Sequence, residues 1–168
     1  MKIRLAGLVP ESIVDGPGYR FSVFVQGCPH ACPGCHNPET HDFEGGYVSD
    51  TEEIIAKLGA NPLVRGVTLS GGEPMMQAAA VCEIAQAAKE KGLSVWCYTG
   101  FTLEALCARQ DDDCMRLLEC IDVLVDGPYI ARERSLELLY RGSGNQRLID
   151  MAATRAAGEI RLFEPDVW

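Results

Sequence analysis

Cys28, Cys32 and Cys35 stand in the order C-x-x-x-C-x-x-C within Gly27-Cys28-Pro29-His30-Ala31-Cys32-Pro33-Gly34-Cys35-His36-Asn37. Cysteine-only ligation of an iron–sulfur cubane normally takes four thiolates. Three thiolates hold three irons and leave the fourth open to something other than protein. That pattern suits a reactive cluster better than a simple electron carrier. The glycines and prolines let the backbone wrap a compact group. The same stretch has two other readings. One is a structural zinc knuckle with His30 or His36 as fourth ligand, although the distant second ligand pair usual at such sites is missing. The other is a thioredoxin-type redox pair of Cys32 and Cys35, which here opens no helix.

About one βαβ unit later comes Ser70-Gly71-Gly72-Glu73-Pro74. Two glycines expose backbone groups, and Glu73 offers an anionic acceptor, a combination that suits the ammonium of an amino-acid moiety. Taken alone it is also a plain turn. Trp96-Cys97-Tyr98-Thr99-Gly100 and Val125-Asp126-Gly127-Pro128-Tyr129 each place polar groups just after an apolar strand, which is equally ordinary turn chemistry. Arg141-Gly142-Ser143-Gly144-Asn145-Gln146-Arg147 reads either as a docking loop or as a solvated one. Cys82, Cys97, Cys107, Cys114 and Cys120 read as packing residues, with Cys107 and Cys114 on apolar helix faces. Asp111-Asp112-Asp113 has no cation-loop spacing and reads as a solvated loop.

The elements that must position these groups alternate between strand and helix. Strand patterns cover residues 3–9, 19–26, 64–69, 93–98, 121–125 and 159–163. Between them lie a helix over 52–58 opened by a Ser49/Glu52 capping box, one over 75–91 and one capped by Thr102. Further helical spacing runs through Cys114, Leu117, Leu118 and Ile121, and a short helix is expected over 132–139. Such alternation predicts βαβ units and a mostly parallel sheet. The candidate residues fall after strands, where parallel α/β folds bind ligands. An eight-unit barrel takes roughly 250 residues. With 168 residues the chain is expected to form a single domain over 1–168 and to build only a partial, open (β/α) barrel.

Bulk composition narrows the function classes. The net charge of −9 argues against nucleic-acid binding. No apolar stretch is long enough to span a membrane, and the N-terminus lacks a signal-peptide pattern. A cytoplasmic chain with reduced cysteines is expected. The C-terminal run from Phe163 to Trp168 is expected to pack on its own domain.

In combination, the cysteine loop and the glycine–glycine turn resemble the radical S-adenosylmethionine superfamily. Gly16-x-Gly18-x-Arg20, Phe24, Gly27-Cys28, Cys32, Cys35 and Asn37 resemble the signature of glycyl-radical-enzyme activating proteins. The blocks at 95–100, 123–129 and 141–147 look like those of the activases of anaerobic ribonucleoside-triphosphate reductase. The resemblance covers roughly residues 10–150 and implies the following. Cys28, Cys32 and Cys35 would hold a 4Fe-4S cluster, and S-adenosylmethionine would bind its open iron. Gly71, Gly72 and Glu73 would take the methionine ammonium. Gly34, Cys35 and His36 would lie beside the adenine, and Tyr98, Thr99 and Asp126 would line the cofactor or a nearby cation site. A one-electron reductant such as flavodoxin would reduce the cluster. The 5′-deoxyadenosyl radical formed would take a hydrogen atom from a glycine Cα of the large reductase subunit. No protein acid or base is implied. His36 stands where reductase activases often carry tyrosine, and His-Asn is the pyruvate formate-lyase activase pattern. An activase of that type is therefore the alternative, alongside a non-catalytic iron–sulfur or zinc subunit.

Overall fold

The computed structural model describes residues 1–165. One sheet contains β1 (Lys2–Ser12), β2 (Tyr19–Val25), β3 (Tyr47–Asp50), β4 (Val64–Gly71), β5 (Ser94–Tyr98), β6 (Val123–Asp126) and β7 (Arg147–Asp150), in the order β3-β1-β2-β4-β5-β6-β7. The helices are α1 (Thr51–Lys57), α2 (Ala78–Glu90), α3 (Leu103–Arg109), α4 (Asp112–Cys120) and α5 (Met151–Ala157). β2, β4, β5 and β6 run parallel. β1 and β3 add antiparallel pairings at one edge and β7 adds one at the other. The fold is therefore a mixed α/β sheet with a parallel centre, and it does not close on itself.

Alternation along the strands gives this sheet two different faces. Phe21, Val23 and Val25 of β2, Val67 and Leu69 of β4, and Val95 and Cys97 of β5 join the main core with α2 and α4. Their neighbours at the intervening positions face the other way. There Trp96, Val123, Val125 and Leu148 form a smaller apolar cluster joined by Tyr98, Tyr140 and Phe163. Phe163 reaches the Trp96 ring at 5.4 Å, so the described part of the tail packs on its own sheet. Trp168 lies outside the described residues.

Arg20 lies on this second face, 1% exposed and without an ion-pair partner among the described residues. Its guanidinium donates to Thr68 Oγ1 (2.8 Å), Val67 O (3.0 Å), Ser94 Oγ (3.0 Å), Ser94 O (3.1 Å) and Pro17 O (3.3 Å). It also lies 5.7 Å from the Trp96 ring centroid. Burial lowers its pKa to about 10, which leaves it charged at neutral pH. A Cβ at Gly16 would approach Arg20 Cδ to 2.6 Å, and one at Gly66 would approach its Nη2 to 2.5 Å. Two of the glycines therefore make room for this one side chain. Thr68 Oγ1 passes the contact on to Asp15 O at 2.8 Å. Arg20 thus staples the Asp15–Gly18 turn to β4 and β5.

Several local expectations differ from the structure. The residue capping α1 is Asp50, which accepts from Glu52 N, while Ser49 belongs to the edge strand β3. Residues 74–77 form a 3-10 turn opened by Pro74 and capped by the Glu73 side chain, and α2 begins only at Ala78. The Asp111-Asp112-Asp113 run is the start of α4, with Asp111 as its cap and carboxylates suited to a helix N-terminus. Residues 132–139 form no α-helix, only a 3-10 turn over Ala131–Glu133. The last strand is Arg147–Asp150 rather than 159–163, where Leu162 makes only an isolated bridge to Ile149. Cys114 is buried as expected, but Cys107 is exposed because Leu103 and Leu106 carry the buried face of α3.

Replacing Arg20 by Met strips the donors from three backbone carbonyls and two hydroxyls. Each orphaned buried group costs about 1–3 kcal/mol. Urea unfolding should show a loss of about 3 kcal/mol or more. An unchanged midpoint would mean that the arginine is not holding the turn.

Candidate functional site

The turns that follow β2, β4, β5 and β6 border one cavity of about 390 Å³. Cys28, Cys32, Cys35 and His36 line it from the first turn, Gly71 and Gly72 from the second, Tyr98 and Thr99 from the third, and Gly127 and Tyr129 from the fourth. Its size falls within the usual range for small-molecule pockets. The residues separated along the chain thus converge at the carboxyl ends of the parallel strands.

The cysteine loop has little regular structure, so its backbone groups find partners elsewhere. Gln26, 4% exposed, donates from its side chain to Glu39 O (2.8 Å) and Asp42 O (2.7 Å). Gly27 N donates to Thr40 O at 2.7 Å and Cys28 N to His41 O at 3.2 Å. The glycine–glycine turn is bonded to the base of this loop, with Gly72 N donating to Val25 O (2.7 Å) and Glu73 N to Gly27 O (2.8 Å). A Cβ on Gly72 would lie 2.4 Å from Gly27 O, and one on Gly71 would lie 2.4 Å from Val25 N. Both glycines are therefore required by backbone contact.

Glu73 is wholly buried. Its Oε1 meets His30 Nε2 at 2.6 Å, Gly100 N at 2.8 Å and Thr99 Oγ1 at 2.9 Å, while Oε2 accepts from Met75 N at 3.0 Å. It does not line the cavity. Instead, its carboxylate ties together the loops after β2, β4 and β5. As the cap of the 3-10 turn begun by Pro74, it also has a local reason to fold inward. Asp126 is similarly occupied. It is 1% exposed and accepts from Leu103 N (2.8 Å) and from two nitrogens of Arg147 (3.0 and 2.6 Å). Those bonds raise the Arg147 pKa above the ordinary arginine range. Neither carboxylate faces the cavity. Gly34 also lies off its lining, exposed beside Tyr129 and Ala131.

Tyr98 lies at the cavity as expected, and Tyr129 and Arg141, which belong to singled-out blocks but had no individual role, lie there too. Tyr98 donates its hydroxyl to Tyr140 O at 2.6 Å, and burial raises its pKa above the usual phenol range. Tyr129 stacks obliquely against His36, with centroids 4.9 Å apart. Arg141 lines the cavity and donates to Gln146 O at 2.8 Å, and it makes no ion pair among the described residues. The Arg141–Arg147 loop is thus divided, with one arginine at the cavity and the other binding Asp126.

A thiolate-held cluster fits these residues. The three cavity thiols are free of disulfides, and Cys35 Sγ already accepts from Asn37 N at 3.4 Å. Burial raises the Cys28 pKa, a shift that a bound positive partner would offset. His41 Nε2 is buried without a hydrogen-bond partner, on the same cavity wall. Leaving such a group unpaired costs about 1–3 kcal/mol, which argues for a partner that is not polypeptide. A mononuclear knuckle fits less well, because among the described residues no three His, Cys, Asp or Glu side chains gather around one ion.

Comparison with known proteins places the chain in a family. Residues 14–149 match the family model of the 4Fe-4S single cluster domain. The anaerobic ribonucleoside-triphosphate reductase-activating protein of Vibrio cholerae is 41% identical over 145 residues, covering 82% of this chain and 91% of that one. Those of Escherichia coli and Haemophilus influenzae are 35% and 34% identical over the same length, covering 82% of this chain and 92% and 91% of theirs. Among solved structures, QueE from Escherichia coli superposes with a TM-score of 0.47 at 18% identity, over 61% of this chain and 54% of that one.

Two substitutions and one control check the site's construction. Gly72→Ala forces backbone apart and should cost about 2–3 kcal/mol, whereas Gly7→Ala, with nothing within 4 Å, should leave the urea midpoint in place. Glu73→Gln keeps the size but points an amide at N–H and O–H donors, so a loss of about 2 kcal/mol and faster exchange of the Gly100 amide are expected. Unaltered Gly100 exchange would show that the carboxylate is not the tie between the loops.

Proposed function

We propose, for a chain that belongs to the family of anaerobic ribonucleoside-triphosphate reductase-activating proteins and carries its 4Fe-4S single cluster domain, that it installs the glycyl radical on that reductase. One observation carries the assignment to this site: the three cysteines and the glycine–glycine turn, far apart in sequence, border the same cavity. Cys28, Cys32 and Cys35 hold the cluster, leaving one iron for S-adenosylmethionine. When bound, the pair supplies reductive carbon–sulfur cleavage and the hydrogen-atom abstraction that leaves a radical on a glycine Cα of the reductase.

The polypeptide's own work is to bind, orient and shield. Gly71 and Gly72 bring backbone close to the methionine ammonium. Glu73, its oxygens taken by internal donors, acts as a buried negative charge behind that turn rather than as a direct ligand. Arg141 is the cavity cation available to the methionine carboxylate. His36 and Tyr129 offer rings for the adenine, with Gly34 and Cys35 supplying the adjacent backbone. Tyr98 and Thr99 complete the wall. Asp126 contributes by holding Arg147 and the start of α3 in place. We read the open sheet as the partial (β/α) barrel of a single radical S-adenosylmethionine domain spanning 1–168. Its open side leaves room for the reductase's glycine loop. Flavodoxin, or a similar one-electron carrier, and a cytoplasmic setting complete the reading. No described helix is long and apolar enough to cross a membrane.

Anaerobic reconstitution with iron and sulfide, followed by dithionite and S-adenosylmethionine, should yield 5′-deoxyadenosine and methionine. Ala at Cys28, Cys32 or Cys35 should abolish both cluster and products, whereas Cys107→Ala should retain them. A glycyl-radical signal should then develop on the reductase. No cleavage by a fully loaded wild-type protein would favour a non-catalytic cluster-binding subunit. Cleavage with a signal only on a pyruvate formate-lyase-type partner would reassign the substrate.

A further inference from the structure

His41 stands outside the cysteine motif, yet it borders the same cavity as all three cysteines. Its backbone carbonyl accepts from Cys28 N at 3.2 Å, which fixes the residue next to the first thiol. The preceding residue, Thr40, is also held, its hydroxyl donating to Asn37 O at 2.6 Å and its carbonyl accepting from Gly27 N at 2.7 Å. The backbone carrying the imidazole is therefore bonded on both sides. Among the described residues His41 Nε2 is the buried side-chain nitrogen or oxygen without a partner. The other histidines of this region are engaged: His30 on Glu73 and His36 against Tyr129.

The imidazole of a residue whose backbone is bonded to Cys28, with a nitrogen left unpaired by the polypeptide, can be matched by a sulfur of the group that Cys28 holds. We infer that His41 donates a hydrogen bond from Nε2 to a sulfur of the iron–sulfur cluster, either a bridging sulfide or the Cys28 thiolate, and so sets its reduction potential. The inference rests on the three-cysteine cluster reading. Hydrogen bonds to cluster sulfurs are a principal lever on cluster potential. The reduced cluster carries one more negative charge, so a donated hydrogen bond stabilises it more than the oxidised form and raises the midpoint. His41 thus acts as a positioning residue through its hydrogen bond, with Nε2 as the donor.

The test is a mediated redox titration of the reconstituted protein, followed by the electron paramagnetic resonance of the reduced cluster, with S-adenosylmethionine absent. His41→Phe keeps a ring but removes the donor. Its reduction equilibrium should be about tenfold less favourable than wild type, a midpoint about 59 mV lower for one electron. His41→Gln places an amide N–H near the Nε2 position and should restore most of the shift. His41→Asn reaches only the Nδ1 position and should behave like Phe. If His41→Phe takes up no iron, the Gln and Asn variants decide the matter, and equal midpoints for the two would overturn the inference. So would a loaded His41→Phe cluster with the wild-type midpoint, including one whose only change is weaker binding of S-adenosylmethionine. Wild-type protein that takes up no cluster at all would overturn the three-cysteine reading first, and this one with it.

Discussion

A buried carboxylate holds the site together. Removing Glu73 from water costs several kcal/mol unless its oxygens are fully matched, and here they are matched by groups from three separate loops. That requirement sets where the cysteine loop, the glycine–glycine turn and the turn after β5 can sit. The close approach of Gly71 and Gly72 to β2 follows from the same convergence. The role usually implied for a glutamate after two glycines is ligand contact. In this chain its oxygens are spent on architecture, and the backbone it gathers borders the cavity.

The second face of the sheet depends on a buried charge of the opposite sign. Arg20 satisfies its donors with carbonyls and hydroxyls of β4, β5 and the Asp15–Gly18 turn, without a carboxylate. Asp15 has its Oδ2 occupied by Ser12 and Ser22, the latter at 2.9 Å, and it lines the cavity. The result is a sheet that is oily toward its helices and hydrogen-bonded toward its cavity. This face sets buried polar contacts beside the apolar Trp96 cluster, unlike a parallel-sheet core that is commonly apolar on both sides.

Much of this arrangement is legible in the sequence. The motif residues occupy strand ends because strand-to-helix turns are where glycine and polar side chains accumulate, and β2, β4, β5 and α2 lie within a few residues of their patterns. What periodicity could not show was the identity of partners. Glu73 and Asp126 look alike in sequence to carboxylates that face a ligand, and only the positions of His30 and Arg147 reveal that they face inward. β7 is hard to see because its four residues begin at the end of a polar, glycine-rich loop, and the charges on Arg147 and Asp150 mask Leu148 and Ile149. Cys107 was misplaced because a helix face inferred from one-dimensional spacing turns with small changes in where the helix starts. His41 carried no signal, since its significance is an unmet hydrogen bond rather than a spacing.

The loop from Cys28 to Gly46 contains only a single 3-10 turn over Pro38–Thr40, and it is held at its base by Gln26, Thr40 and His41. Few backbone bonds fix the stretch that carries Cys32 and Cys35, whereas the strands beneath are closed by continuous ladders. Segments of that kind open at a small fraction of the global unfolding free energy. Order of assembly follows from this difference. The sheet and its helices can form while the thiols are still accessible, and metallation then completes the loop by supplying the contacts that the polypeptide lacks. Maturation of this protein is therefore a local folding step on a finished scaffold, and loss of the cluster should be reversible without passing through the unfolded chain.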